Sequence, residues 1–207
     1  LSIHILIGLK RLSAAKQRLM PQLSPAERRR LMISMLTTVA AAARESALGP
    51  VTLATSEPDA PAISAMLDVG VVSDGGLPWN EGLVHALRAV GGDHEDSVLY
   101  LAGDLPLVRA ADLRAFAGAV PPLGVAVARA RDGGSNALLV TPPRLFTPMF
   151  GVPQSSEAHR AAAARLDLEC RVVDIAGLAL DVDTMQDAED AGLLARVTET
   201  GPGQGRG

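Results

Sequence analysis

One cysteine, Cys170, is all the thiol chemistry this chain possesses. That excludes an internal disulfide and a multi-cysteine zinc site, and fits a reducing, cytoplasmic setting. Aromatic residues make up only 2% of the 207 residues, so the core must be built from Ala, Val, Leu and Ile. Lysine is scarce beside arginine, which reads as a coding bias of a GC-rich genome. No apolar run reaches the length that spans a membrane. The first residues read as a strand, with no charged segment leading into an apolar signal core. An excess of positive charge is also missing: the net charge is -4, which disfavours a nucleic-acid partner. An acidic protein that binds anionic nucleotides must do so through local cations or metal ions. The motif G-x-G-x-x-G is absent, which argues against an NAD-dependent oxidoreductase, and so is G-x-x-x-x-G-K-[ST]. His4, His85, His94 and His159 have no metal-ligand spacing. There is no G-x-S-x-G and no motif around Cys170, so nucleophilic catalysis by the protein is disfavoured.

What is present is 48% hydrophobic and 20% charged residues, a globular composition with enough chain for a real core. Strands are expected at 3–8, 51–55, 68–73, 97–102, 124–129, 137–140, 171–175 and 177–180. Helices are expected at 25–44, 57–67, 80–90, 109–117, 157–166 and 184–195. Ser24-Pro25-Ala26-Glu27 carries the signature of a helix start. Strands alternate with helices through most of the chain, and the strands are apolar runs without strict alternation. A mostly parallel α/β sheet with helices on both faces follows. Residues 1–197 are expected to form a single domain, with 198–207 a flexible Gly-rich tail. In such sheets ligands sit outside the carboxyl ends of the strands, and the candidate residues fall after strands.

Five segments could carry chemistry. Gly8 to Leu19 follows the first strand and holds Lys10, Arg11, Lys16 and Arg18. Such a group suits a triphosphate, and suits a solvated helix face equally well. Gly103-Asp104-Leu105-Pro106 places an acid at the mouth of the sheet, as a ligand for a hard cation or as a turn aspartate. In Leu180-Asp181-Val182-Asp183-Thr184 the two acids are two residues apart and would share one side of an extended chain. The competing reading is that Asp183 or Thr184 caps the last helix, which leaves Asp181 unexplained. Asp132-Gly133-Gly134-Ser135-Asn136 could approach an anion or simply form a hairpin turn. Phe150-Gly151 with Ser155-Ser156 could place serines at a helix start for a phosphate, or merely cap that helix. Trp79, before Asn80, lines a base pocket or packs at a rim.

Taken in order, these segments resemble the 2-phospho-L-lactate and phosphoenolpyruvate guanylyltransferases of coenzyme F-420 biosynthesis, from about Ile5 to Leu194. The matching residues are Lys10 with Ala14-Ala15-Lys16-Gln17-Arg18-Leu19, then Asn80 before a helix. Gly103-Asp104-Leu105-Pro106, Gly134 to Leu139, Phe150-Gly151 with Ser155-Ser156 and His159, and Leu180 to Thr184 complete the set. The pair Gly-Asp-Leu-Pro and Asp-Val-Asp-Thr is its most specific part.

The resemblance implies a three-layer, Rossmann-like nucleotidyltransferase fold shared with molybdopterin guanylyltransferases. It implies transfer of GMP from GTP to phosphoenolpyruvate, with 2-phospho-L-lactate or 3-phosphoglycerate as alternative acids. Two Mg2+ ions would be held by Asp104, Asp181 and Asp183. Lys10, Lys16 and Arg18 would act in catalysis, and Gly8, Lys16 and Asn80 would bind the nucleotide. Ser135, Asn136, Gly151 and Ser155 would bind the acid, with Gln154 the rival of Ser155 because this loop is one residue longer than is usual in the family. A transient contact with the next transferase of the pathway, and a homodimer, are the protein partners it allows. A molybdopterin-type transferase is a more distant reading, since this chain lacks that class's Gly-rich first loop. A non-catalytic nucleotide-binding domain is the reading from another class, and the three acids argue against it.

Overall fold

A computed structural model of the chain describes residues 2–193. Seven strands form one sheet in the order β3-β2-β1-β4-β6-β5-β7. They are β1 (Ile3–Gly8), β2 (Val51–Ala54), β3 (Gly70–Val72), β4 (Ser97–Ala102), β5 (Gly124–Arg129), β6 (Ser135–Thr141) and β7 (Glu169–Val173). All neighbours are parallel except β6, which runs antiparallel to both β4 and β5. The helices are α1 (Pro25–Ser46), α2 (Ala60–Leu67), α3 (Trp79–Ala89), α4 (Ala110–Ala117), α5 (Ser155–Arg165), α6 (Ala176–Ala179) and α7 (Met185–Asp190).

Alternation along the buried strands divides the core in two. Ile3, Ile5 and Ile7 of β1 face α1, whose Leu31, Met35, Leu36 and Val39 are buried against them. Leu6, Val98, Tyr100, Leu138 and Val140 face the other way, toward Leu83 and Leu87 of α3 and Ala162 and Ala163 of α5. This is the three-layer α/β architecture that the sequence predicts. α1 begins as expected: Ser24 accepts from the Glu27 amide while the Glu27 carboxylate accepts from the Ser24 amide.

Several expectations are corrected. Residues 177–180 are not a strand; 176–179 form the short α6. Their carbonyls serve other partners, with Leu178 accepting from Asn136 and Ala179 from the Arg131 amide. α2 starts at Ala60 rather than Glu57, as Pro58 disfavours helical backbone at the residue before it; the Glu57 carboxylate accepts from the Leu12 amide at 2.7 Å. α5 starts at Ser155, two residues early. α7 ends at Asp190, ahead of Gly192 in the left-handed region, short of the expected 195; residues 194 and 195 lie outside the described residues, as does the 198–207 tail. Among the described residues no helix is long and apolar enough to cross a membrane.

The topology sets where a site can form. Gly8 at the end of β1 pairs with Ala102 at the end of β4. Because β6 is antiparallel, its first residues lie at that same end, with Ala137 opposite Leu101. Residues after β1, after β4 and at the start of β6 therefore converge on one mouth.

Candidate active site

The loop after β1 is anchored by its apolar residues. Leu9, Leu12, Ala15 and Leu19 are buried, while Lys10, Arg11 and Arg18 point outward. The Leu9 amide donates to Ala54 and the Leu12 amide to Glu57. Lys16 breaks the pattern: it takes a left-handed backbone conformation, φ 53°, and its side chain is only 6% exposed. Its ammonium is drawn onto Asp104 Oδ2 at 2.5 Å and Asp183 Oδ1 at 3.2 Å. Lys10 and Lys16 are the only lysines in the chain. The Lys10 ammonium lies 5.1 Å from the centre of the Trp79 ring, a cation–π distance. A Cβ on Gly8 would sit 2.5 Å from that ring, so the residue at position 8 must be glycine for Trp79 to pack here.

Asp104 follows β4 through Gly103, whose missing Cβ would lie 2.9 Å from the Gly8 carbonyl. The glycine is explained by the close approach of β1. Asp181 and Asp183 come from the extended segment between α6 and α7. The intervening Val182 is fully buried and fixes both carboxylates on the opposite side. The helix-capping alternative holds for Thr184 and not for Asp183: Thr184 and Asp187 form the capping box of α7, and the Asp187 carboxylate also accepts from the Asp183 amide. The Asp183 carboxylate is left to Lys16 and to Arg18, at 3.1 Å.

Carboxylate oxygens of Asp104, Asp181 and Asp183 lie within 4.8 Å of one another. Burial, then the charge of Asp104, pushes the Asp181 carboxyl up to about 6, against the opposing hydrogen bond from Asn136. Burial pulls Lys16 down, yet Asp104 and Asp183 outweigh it and hold the ammonium above its ordinary range. Three converging hard oxygen donors, one of them short of positive charge, fit a divalent cation such as Mg2+.

Gly8, Lys10, Lys16, Arg18 and the three aspartates line one cavity of about 810 Å³, together with Ser135, Asn136, Gly151, Gln154 and Ser155. Asn136 sends its amide to Leu178 O at 2.9 Å and to Asp181 Oδ1 at 3.2 Å, so it orients a carboxylate. Ser135, on the other face of β6, meets Ser155 Oγ at 3.1 Å and His159 Nδ1 at 3.0 Å. Gln154 lies against Gly133 and donates to the Asp132 carbonyl. The Asp132-Gly133-Gly134 segment is the β5–β6 hairpin turn, with Gly134 donating to the Asp132 carboxylate. Asn80 is absent from the cavity lining. Its Oδ1 accepts from the Phe150 amide at 2.9 Å, and its Nδ2 donates to the Phe150 carbonyl at 3.1 Å.

Sequence reasoning gave no role to two groups: Glu57, which holds the phosphate-loop candidate at Leu12, and His159, which matched the family by residue type and is fully buried against Ser135. The i, i+4 spacing of Ser155 and His159 puts them on one helix face and was the available signal.

The family model described as "Guanylyl transferase CofC like" matches residues 3–196. The chain belongs to this family. The CofC-like chain is 35% identical over 192 residues to the phosphoenolpyruvate guanylyltransferase of Sphaerobacter thermophilus, covering 89% of each. It is 31% identical to that of Thermobaculum terrenum, over 94% of this chain and 84% of the relative. A solved nucleotidyl transferase from Methanothermobacter superposes with a TM-score of 0.67 at 20% identity, covering 97% of this chain and 99% of that one. The fold is therefore that of nucleotidyltransferases, and the chain is a nucleotidyltransferase enzyme.

Proposed function

We propose that this enzyme transfers GMP from GTP to phosphoenolpyruvate, giving enolpyruvoyl-2-diphospho-5'-guanosine and pyrophosphate on the route to coenzyme F-420. The observation that carries the reading is the convergence of Asp104, Asp181 and Asp183 beside Lys16 at the mouth of the sheet. The names borne by the curated relatives support the acid.

A phosphate oxygen of the acid attacks the α-phosphorus of GTP. The new P–O bond forms as the bond between the α-phosphorus and its bridging oxygen breaks, and pyrophosphate leaves with that electron pair. The nucleophile is already an anion, so no strong general base is required, in keeping with the lack of an accessible histidine in the cavity lining. The obstacle is bringing two anions together. Two Mg2+ ions held by the three aspartates would supply electrostatic stabilisation of the phosphates. Lys16 would exchange its carboxylate partners for phosphate oxygens as the site fills, and Lys10 and Arg18 would approach the triphosphate from the rim. Gly8 and Trp79 would bound the nucleotide. Ser135 and Gly151 would receive the acid, with Ser155 acting through Ser135 and Asn136 through Asp181. Ser155 is preferred to Gln154 because its hydroxyl donates to Ser135 Oγ, whereas the Gln154 amide donates to the Asp132 carbonyl in the hairpin turn.

The test is pyrophosphate release from GTP and Mg2+ with phosphoenolpyruvate, 2-phospho-L-lactate and 3-phosphoglycerate supplied separately. The next transferase and its deazaflavin acceptor are included to draw an unstable product forward. Release with phosphoenolpyruvate alone is expected. Release with another acid reassigns the substrate, and silence with all three, from protein that binds GTP, favours a different acceptor or a non-catalytic domain.

A further inference from the structure

His159 takes no part in the carboxylate chemistry, yet it is fully buried and bonded at both ring nitrogens. Its ring packs between Phe146 and Phe150, with centroids 5.9 and 5.4 Å away. Nε2 faces the Met149 amide at 2.8 Å. An amide can only donate, so Nε2 must accept and carries no hydrogen. Burial pushes the imidazole down to about 4, so at neutral pH the ring is uncharged and its one hydrogen sits on Nδ1. Nδ1 faces Ser135 Oγ at 3.0 Å, so that hydrogen is directed at the serine oxygen.

The consequence falls on Ser135. Its oxygen accepts from the imidazole and from Ser155 Oγ at 3.1 Å, which occupies both lone pairs. The Ser135 hydrogen can then only be donated elsewhere, and Ser135 and Ser155 both line the cavity. A hydroxyl held in this way suits an anionic oxygen and rejects a donor. The reacting phosphate belongs with the aspartates. Ser135 lies on the other face of β6 from Asn136 and Asp181, so the group that reaches it is the carboxylate.

We propose that His159 is a positioning residue: locked by the Met149 amide into its Nδ1–H form, it makes Ser135 an obligate hydrogen-bond donor to the carboxylate of the acid substrate. This rests on the guanylyltransferase reading above. Nitrogen-15 spectra of histidine-labelled protein at pH 7, assigned with His159→Asn, should show Nδ1 protonated and Nε2 bare. The opposite tautomer, or an imidazolium, overturns the proposal.

Kinetics give a second test. In His159→Gln the amide can replace the acceptor at Nε2 but not the donor at Nδ1. It should raise KM for phosphoenolpyruvate roughly tenfold, the scale of one hydrogen bond to a charged group. The GTP dissociation constant should stay within about twofold. Ser135→Ala should do the same, and the double variant should be no worse than either alone. His159→Asn, which can keep a donor near Nδ1, should recover part of the loss. Vinyl phosphate, which lacks the carboxylate, should be insensitive to Ser135→Ala; equal sensitivity would overturn the assignment to the carboxylate. Additive losses in the double variant, or equal losses for GTP and acid, would also overturn it. If the wild type turns over no acid, the functional reading falls on its own. The proposal is then decided by titrating phosphoenolpyruvate into the labelled protein: a shift at His159 that Ser135→Ala abolishes supports it, and no shift overturns it.

Discussion

Asp181 and His159 are both shifted by burial, and their signs are opposite. The folded-state Asp181 carboxyl, at about 6, lies above its ordinary 3.8, so the folded protein holds that proton to higher pH than the unfolded chain does. Its contribution is present below about pH 4 and lost as pH rises through about 6. In chelator-treated protein, Asp181→Asn should therefore raise the urea midpoint above pH 6, with a gain of roughly 1–3 kcal/mol. An unchanged midpoint would deny that the carboxylate is uncompensated. His159 is a base held at about 4, below its ordinary 6.5. Its contribution is intact above about pH 6.5 and lost as pH falls through about 4. His159→Asn should flatten the acid limb of the same urea series, and an equally steep limb would show that other groups set it. The acids were legible in the sequence because i, i+2 spacing carries direction. Their freedom from capping was not, since Asp183, Thr184 and Asp187 all suit a helix start and only coordinates distribute the bonds. The role of His159 was hidden for a related reason: its partners, Ser135 and the Met149 amide, lie 24 and 10 residues away.

At the scale of elements, the start of α3 and the loop after Phe146 act together. Asn80 joins them through both backbone groups of Phe150, at a sequence distance of 70 residues. Asn80→Ala should loosen the Phe150–Gly151 wall and raise KM for the acid several-fold, while GTP affinity is kept. A selective loss of GTP affinity would support the direct nucleotide role that the family resemblance implies. Trp79 is the chain's single tryptophan and lines the cavity, so its fluorescence should respond to GTP. Gly8→Ala would drive a methyl into the ring at 2.5 Å and should cost about 1–3 kcal/mol by overpacking. It should also weaken the GTP-dependent signal; normal stability and signal would mean that Trp79 is free to move. The capped start of α1 and the apolar runs of β1 and β4 were readable because their determinants are local. Residues 177–180 misled because four apolar or small residues fit a strand or a turn of helix, and the choice fell to tertiary acceptors at Leu178 and Ala179.

Over the whole molecule, one topological feature assembles the site. Strands β1 and β4 deliver Gly8 and Asp104 at their carboxyl ends, and the antiparallel β6 brings Ser135 and Asn136 to the same mouth by their amino-terminal position. Alternating strands and helices foretold the layers, but the direction of β6 depends on a hairpin that the Asp132-Gly133-Gly134 turn only suggested. The central claim is nucleotidyl transfer at the three aspartates, and isotopic labelling tests it most directly. GTP labelled at the α-phosphorus, or separately at the γ-phosphorus, is incubated with Mg2+ and phosphoenolpyruvate, and the products are separated. The α-label should appear in a guanosine diphosphodiester that contains the acid and the γ-label in pyrophosphate, with Asp104→Asn slower by on the order of a hundredfold or more. The γ-label in orthophosphate or in the acid, or undiminished transfer by Asp104→Asn, would contradict it.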